Sequence, residues 1–183
     1  MINHKYDEII TDRLIIRKAK LDDLDSIYNN IWSDEVIAST MLWEVTKTWE
    51  EAIKRMERTI QYQSEHYAYF ICLKDTNEAI GFAGIKEFLK DVYQDSGICI
   101  ATKYQGRGFA KEVIGAFIDL VFNKLGGKRF IYGCFNTNDK SRNVCLAHGF
   151  KYFKSMEEVR DYDNKVFTCD YYYLDKDMYN KNT

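Results

Sequence analysis

The spacing of apolar and polar positions divides the chain into short strands and amphipathic helices. Arg13-Leu14-Ile15-Ile16-Arg17 reads as a first strand. A helix follows from about Asp22, which can cap it, because Leu24, Ile27, Tyr28 and Ile31 recur at helical spacing. A second helix begins at Thr48. There Thr48-Trp49-Glu50-Glu51 has the form of a capping box, and Ala52, Ile53, Met56 and Ile60 mark the stripe to be buried. The middle of the chain is strand-like. Residues 67–73 are rich in aromatic and β-branched side chains, Asp75-Thr76-Asn77-Glu78 supplies a turn, and residues 79–88 run back through Gly81 and Gly84. Residues 93–102 form a third strand. Over 110–125 the period changes: Val113, Ile114, Phe117, Ile118, Val121, Phe122 and Leu125 share a helical face, ended by Gly126-Gly127. Residues 129–135 form a strand and 141–148 a short helix closed by Gly149. Two last strands, 151–159 and 165–174, flank a turn at Asp163-Asn164.

The order β-α-α-β-β-β-α-β-α-β-β places antiparallel hairpins around one strand–helix–strand crossover. This predicts an α+β fold with a mixed, mostly antiparallel central sheet flanked by helices. No repeat, low-complexity tract or linker interrupts it, so residues 1–183 read as a single domain.

Composition narrows the function classes. With 46% hydrophobic and 30% charged residues the chain is a globular rather than a disordered sequence. Its net charge of −2 argues against a general nucleic-acid binder, which needs a basic face. The first eight residues lack an apolar core for a signal peptide, and no apolar run reaches the roughly 20 residues that span a bilayer, so a cytoplasmic protein without membrane partners is expected. Cys72, Cys99, Cys134, Cys145 and Cys169 are odd in number and contain no C-x-x-C pair. They read as buried thiols, four on strands and one on a helix. His4, His66 and His148 lack ligand spacing, and no metal is expected.

The chemistry concentrates where a buried strand ends, two glycines follow and an amphipathic helix begins: Ile98-Cys99-Ile100-Ala101-Thr102-Lys103-Tyr104-Gln105-Gly106-Arg107-Gly108-Phe109-Ala110-Lys111. Unpaired amides at a helix N-terminus, with the positive end of its dipole, attract anions, and Gly106 and Gly108 let a phosphate approach the backbone. A plain strand–helix turn is the competing reading. A dinucleotide fingerprint fails because Lys111 stands where its third glycine belongs. A nucleotide-triphosphate loop fails at Gly127-Lys128, which has Phe122 and Arg129 at its other fixed positions.

What remains, Gln105-x-x-Gly108-x-Ala110, resembles the acetyl-CoA loop of the GNAT superfamily of N-acetyltransferases, Gln/Arg-x-x-Gly-x-Gly/Ala. The string Tyr104-Gln105-Gly106-Arg107-Gly108-Phe109-Ala110-Lys111-Glu112 resembles its ribosomal-protein alanine N-acetyltransferase branch. Asn138-Asp139-Lys140-Ser141 followed by Gly149-Phe150 resembles the second family signature. Thr11-Asp12-Arg13-Leu14-Ile15-Ile16-Arg17 resembles the opening strand, and Asp170 precedes a Tyr-rich final strand as in this branch.

The resemblance implies acetyl-CoA as co-substrate and an amine as acceptor, either a small molecule or a protein N-terminus. The backbone of Ile98, Cys99 and Ile100 would pair with the pantetheine arm and polarise the thioester carbonyl. Gln105, Gly106, Arg107, Gly108, Phe109, Ala110 and Lys111 would form the diphosphate loop. Lys103, Arg107, Lys111, Lys140 and Arg142 would add positive charge. Asn138 would either bond the pantetheine arm or cap its helix. Asp95 aligns with an acidic position and is either the base that deprotonates the amine or a structural carboxylate. The family often places a Tyr proton donor four residues after the signature Ser, and here that position is Cys145. Either Cys145 or Ser141 would then protonate the departing thiolate, unless solvent does. Trp32, Trp43, Tyr93 and Tyr162 are candidates to line the acceptor pocket. The other function compatible with these residues is a non-catalytic acyl-CoA-binding or regulatory module, for which the missing Tyr argues.

Overall fold

The structure is a computed structural model and describes residues 6–180. His4 therefore lies outside the described residues. The described residues group into two compact units, one comprising 6–84 with 97–109 and the other 85–96 with 110–180.

In the first unit the antiparallel strands β1 (Glu8–Ile10), β2 (Leu14–Arg17), β3 (Ala68–Leu73) and the start of β4 (Ala79–Leu89) lie side by side, in register at Ile9↔Ile16, Ile16↔Ile71 and Phe70↔Phe82. Three helices accompany them: α1 (Leu24–Ile27), α2 (Glu35–Ser39) and α3 (Trp49–Glu65). Ile27, Ile31, Trp32, Met56 and Phe70 form one buried cluster with Cys99 and Ala101.

The first helical segment starts differently from the sequence expectation. A 3-10 turn over Leu21–Asp23 precedes α1, and buried Asp23, not the exposed Asp22, reaches back to accept the Lys20 amide at 2.8 Å and pairs with buried Arg17 at 2.8 Å, while no side chain caps α1 itself. Only four residues are α-helical before a π turn over Tyr28–Trp32, closed by the Ser33 amide on the Tyr28 carbonyl at 3.0 Å. The Thr48–Glu51 capping box forms as expected on α3. Its buried stripe does not match throughout, because Ile53 is exposed while Gln63 turns inward and accepts the Ala19 amide at 2.6 Å.

The second unit holds the end of β4, the start of β5 (Val92–Ile100), most of α4 (Phe109–Asp119), β6 (Arg129–Phe135), α5 (Asp139–Leu146), β7 (Lys151–Arg160), β8 (Lys165–Asp175) and α6 (Lys176–Asn180). Strands run in the order β5-β6-β8-β7, the first pair parallel and the rest antiparallel. The sheet is therefore mixed and mostly antiparallel with flanking helices, as the element order predicts. The α4 helix stops earlier than expected, at Asp119. A π turn over Leu120–Lys124 follows, closed by the Leu125 amide on the Leu120 carbonyl at 2.9 Å, and Gly126 at φ 74° ends it. Asp170 lies inside β8, not before it, opposite Cys134 on β6. The strand β1 and the helices α2 and α6 were not evident in the sequence. All five cysteines are buried and unpaired, four on strands and one on α5. Among the described residues, no helix is long and apolar enough to cross a membrane.

Candidate active site

The loop after β5 is held from several sides. A short 3-10 turn over Thr102–Tyr104 is closed by the Tyr104 amide on the Ala101 carbonyl at 2.8 Å. The Gln105 side chain then donates back to the Ile100 carbonyl at 3.0 Å, tying the loop to the strand it leaves. Arg13 donates to the Arg107 carbonyl at 2.8 Å and lies 4.6 Å over the Phe109 ring. Glu78 accepts Lys103 at 3.1 Å, the Tyr104 hydroxyl at 2.8 Å and the Asn30 amide at 2.9 Å. Burial alone would raise the Glu78 carboxyl, but the bonds from Asn30, Tyr104 and Lys103 outweigh it and hold the group below its ordinary pKa.

Gly106 and Gly108 adopt φ of 76° and 80°, a left-handed backbone that side chains disfavour. A Cβ on Gly106 would meet nothing within 4 Å, and one on Gly108 only the Arg13 guanidinium at 3.5 Å. Conformation rather than crowding therefore demands glycine, and the space beside the loop is open. The α4 helix opens at Phe109, so the amides of its first turn have no acceptor within the helix. Open space, accessible backbone and first-turn amides together fit a diphosphate group.

On the strand before the loop, Gly97 departs from extended geometry at φ 108°, just ahead of Ile98. Cys99 and Ile100 are buried, Ile98 half-buried. Burial pushes the Cys99 thiol up to about 12, with Asp34 adding to the shift and Arg55 opposing it. Its side chain is therefore a protonated core group. The neighbouring strand approaches closely here: a Cβ on Gly81 would stand 2.1 Å from the Cys99 carbonyl oxygen.

The second unit holds the residues expected to move protons. β5 and β6 pair in parallel from Val92↔Arg129 to Gln94↔Ile131. The next residue, Asp95, is only 8% exposed and accepts the Gly133 amide at 2.7 Å. Ser141, in the first turn of α5, lies 2.7 Å from the hydroxyl of buried Tyr132. The Tyr132 phenol is held well above its usual pKa by burial first and the Asp95 charge second. Cys145 is fully buried, donates to the Arg142 carbonyl at 3.1 Å and is pushed up to about 12 by burial. Asn138 caps α5, its side-chain oxygen accepting the Ser141 amide at 3.0 Å, so only its amide nitrogen remains for a ligand.

Of the basic residues, Lys103 pairs with Glu78 and Arg142 with Asp139, while Arg107 lies 5.3 Å over the Tyr104 ring. Lys111 and Lys140 are exposed. Trp32 and Tyr93 belong to the core, and Tyr162 is exposed beside Arg160 in the β7–β8 turn. Trp43 lines a cleft. Arg13, Glu78 and Tyr132 were missed as site residues because each reads in sequence as an ordinary strand or turn residue. Among the described residues, no three His, Cys, Asp or Glu side chains gather as a metal site.

Residues 13–151 match the family described as "Acetyltransferase (GNAT) domain". An uncharacterized N-acetyltransferase, YoaA of Bacillus subtilis, is 29% identical over 144 residues, 77% of this chain and 81% of that protein. A GNAT-family acetyltransferase from Bacillus anthracis superposes with a TM-score of 0.80 at 20% identity, over 93% of this chain and 99% of the other. The microcin C7 self-immunity acetyltransferase MccE, solved with acetyl-CoA and AMP, superposes at 0.76 with 18% identity, over 90% and 93% of the two chains. The chain belongs to the GNAT acetyltransferase family. It is an N-acetyltransferase.

Proposed function

We propose that the protein transfers acetyl directly from acetyl-CoA to a primary amine, with a peptide N-terminus as the first-ranked acceptor and small-molecule amines as the second. The carrying observation is the loop from Gln105 to Lys111, which opens α4 with both glycines left-handed and is anchored by Arg13 and Glu78. The rank of the peptide acceptor rests on the residue 104–112 string, which resembles the ribosomal-protein alanine N-acetyltransferases. It also rests on acidity: an α-amine titrates near 8, within reach of a single carboxylate base, whereas an alkyl amine titrates near 10.4.

In this reading the amides of residues 106–111 grip the diphosphate, with Lys111 adding charge. The co-substrate supplies the activated thioester. The backbone of Ile98, Cys99 and Ile100 orients it and donates toward the carbonyl oxygen on which charge develops. Asp95 takes the proton of the amine. Of the two expected donors to the departing sulfur, Ser141 ranks above Cys145. The serine hydroxyl is half-exposed and backed by Tyr132, whereas the thiol is enclosed and committed to the Arg142 carbonyl. The Tyr132 hydroxyl, 2.7 Å away, holds Ser141 Oγ in place.

The test is thiol release from acetyl-CoA across a panel of alanyl peptides and small amines, with acetyl-CoA affinity measured in parallel by calorimetry. Amine-dependent thiol release in the wild type, and lost acetyl-CoA binding with intact folding in Gly108→Glu, are the expected results. Binding without turnover on any amine would make the protein an acyl-CoA-binding module. Unchanged affinity in Gly108→Glu would remove the loop from the site.

A further inference from the structure

In the first unit a cleft of about 420 Å³ opens between the segment that precedes α3 and the helix itself, lined by Trp43, Thr46, Lys47, Glu51, Arg55 and Arg58, among others. Its charges are unevenly answered. Glu51 is occupied in the capping box, accepting the Lys47 and Thr48 amides at 2.9 and 3.2 Å. Lys47 has Glu44 at 3.4 Å. Arg55, by contrast, has no carboxylate within ion-pair distance among the described residues. One of its nitrogens donates to Thr46 Oγ1 at 2.8 Å, and its guanidinium lies 4.7 Å from the Trp32 ring and 4.4 Å from the Trp43 ring. Burial, with the like charge of Arg58 second, pulls its pKa down to about 10, so it stays charged at neutral pH without a counter-ion. A second donor shares this environment: the Trp43 indole nitrogen is buried with no hydrogen-bond partner. A buried donor left unsatisfied costs free energy, and so does a desolvated cation without an anion.

The position matters as much as the chemistry. Trp43 packs on the same core cluster as Cys99 and Ala101, and Arg55 is near enough to Cys99 to oppose the burial shift of its thiol. Arg55 thus lies within electrostatic reach of Cys99, on the strand end assigned above to the thioester. We propose that Arg55 and the Trp43 indole bind a carboxylate of the acceptor, so that the enzyme selects amines carrying an acidic group a short distance from the reacting nitrogen. This inference deepens the acetyl-transfer reading and rests on it for the identity of the ligand as acceptor. Arg presents a planar fork that matches a carboxylate, and the flanking rings hold that fork in place. The carboxylate could be a side chain or a C-terminus, because both present the same two oxygens.

Three peptides separate these sources: alanylglutamic acid amide, with a side-chain carboxylate; alanylglutamine, with a terminal one; and alanylglutamine amide, with none. Calorimetric titration of each into the enzyme saturated with CoA should show at least one of the acidic peptides binding about tenfold tighter than the neutral one. Whichever acidic peptide binds tighter identifies the source. Arg55→Lys and Trp43→Phe should each reduce that preference to about threefold or less. Thermal unfolding of each variant confirms that it folds, and Trp43→Phe, which keeps an aromatic ring, carries the test if Arg55→Lys does not. Equal affinity for the three peptides, no binding by any, or a preference that survives the variants would overturn the proposal. The readout is binding, so a carboxylate preference without thiol release from acetyl-CoA would leave the anion site standing while acetyl transfer falls. Acetylation of all three peptides with equal affinity would do the reverse.

Discussion

Asp95 accepts the Gly133 amide at 2.7 Å, one residue beyond the parallel pair Gln94↔Ile131 of β5 and β6. A side chain of β5 thus bonds the backbone of β6 and holds a buried carboxylate beside it. The same contact positions the group expected to act as base and gives the Gly133 amide an acceptor.

Asp95→Asn separates these two duties. The asparagine side-chain oxygen can still accept from Gly133, so the variant should fold with nearly the wild-type melting temperature, whereas it cannot take a proton. Turnover should fall about 100-fold or more at saturating acetyl-CoA, with the larger loss below the pKa of the amine. A rate ratio that is flat across pH would make Asp95 structural.

Arg13 offers a test of loop anchoring without touching the loop. Its bond to the Arg107 carbonyl and its position over Phe109 orient the residues that lead into α4. Arg13→Ala removes both and should raise the acetyl-CoA dissociation constant about tenfold, in line with a lost charge-assisted hydrogen bond. Calorimetry checks it, and an unchanged constant would show that the loop holds its shape alone.

How much of this was legible beforehand follows from the range of each interaction. The Thr48–Glu51 box, the Gly126 stop and the strand over Arg129–Phe135 are local patterns, and they stand where sequence placed them. The loop glycines were legible because a left-handed turn selects for glycine at a fixed position. The contacts of Arg13 with Arg107, of Glu78 with Lys103 and of Tyr132 with Ser141 join residues that no periodicity links. Asp22 read as a cap for the first helix, but it is Asp23 that turns inward, held by Arg17, a partner on β2 that no local pattern links to it. The short elements α2 and α6 span one helical turn or slightly more, too few residues for a period to show.

Two glycines flanking the thioester strand should fail for different reasons. At Gly81 an added methyl would stand 2.1 Å from the Cys99 carbonyl oxygen, and backbone cannot rotate away as a side chain can. Gly81→Ala should cost roughly 3 kcal/mol or more and displace the strand proposed to hold the thioester. Gly97 has open space around its Cβ position but a φ of 108°. There Gly97→Ala should cost about 1–2 kcal/mol from backbone strain alone. Urea midpoints of the two variants give the ranking, and equal losses would contradict the distinction between crowding and conformation.

His148 gives the fold a dependence on acid. Its Nε2 lies 2.9 Å from the Lys111 carbonyl in the first turns of α4, and its ring sits 3.4 Å from where a Cβ on Gly115 would be, so it has little room to turn. Burial pushes its pKa below the ordinary histidine value; the Lys111 carbonyl opposes that and the Lys111 charge adds to it. Because the folded state prefers the neutral ring, the unfolded chain binds more protons at mildly acidic pH. Stability attributable to this residue is therefore full above about 6.5 and declines as pH falls from there toward the lowered value. His148→Gln can still donate to the Lys111 carbonyl and does not titrate. Urea midpoints at pH 7.5 and 5.5 should drop further in the wild type than in the variant. Parallel losses in the two proteins would assign the acid sensitivity to other groups. If the prediction holds, acid loosens the contact between the end of α5 and the start of α4, and acetyl-CoA affinity should weaken over the same pH interval in the wild type but not in the variant.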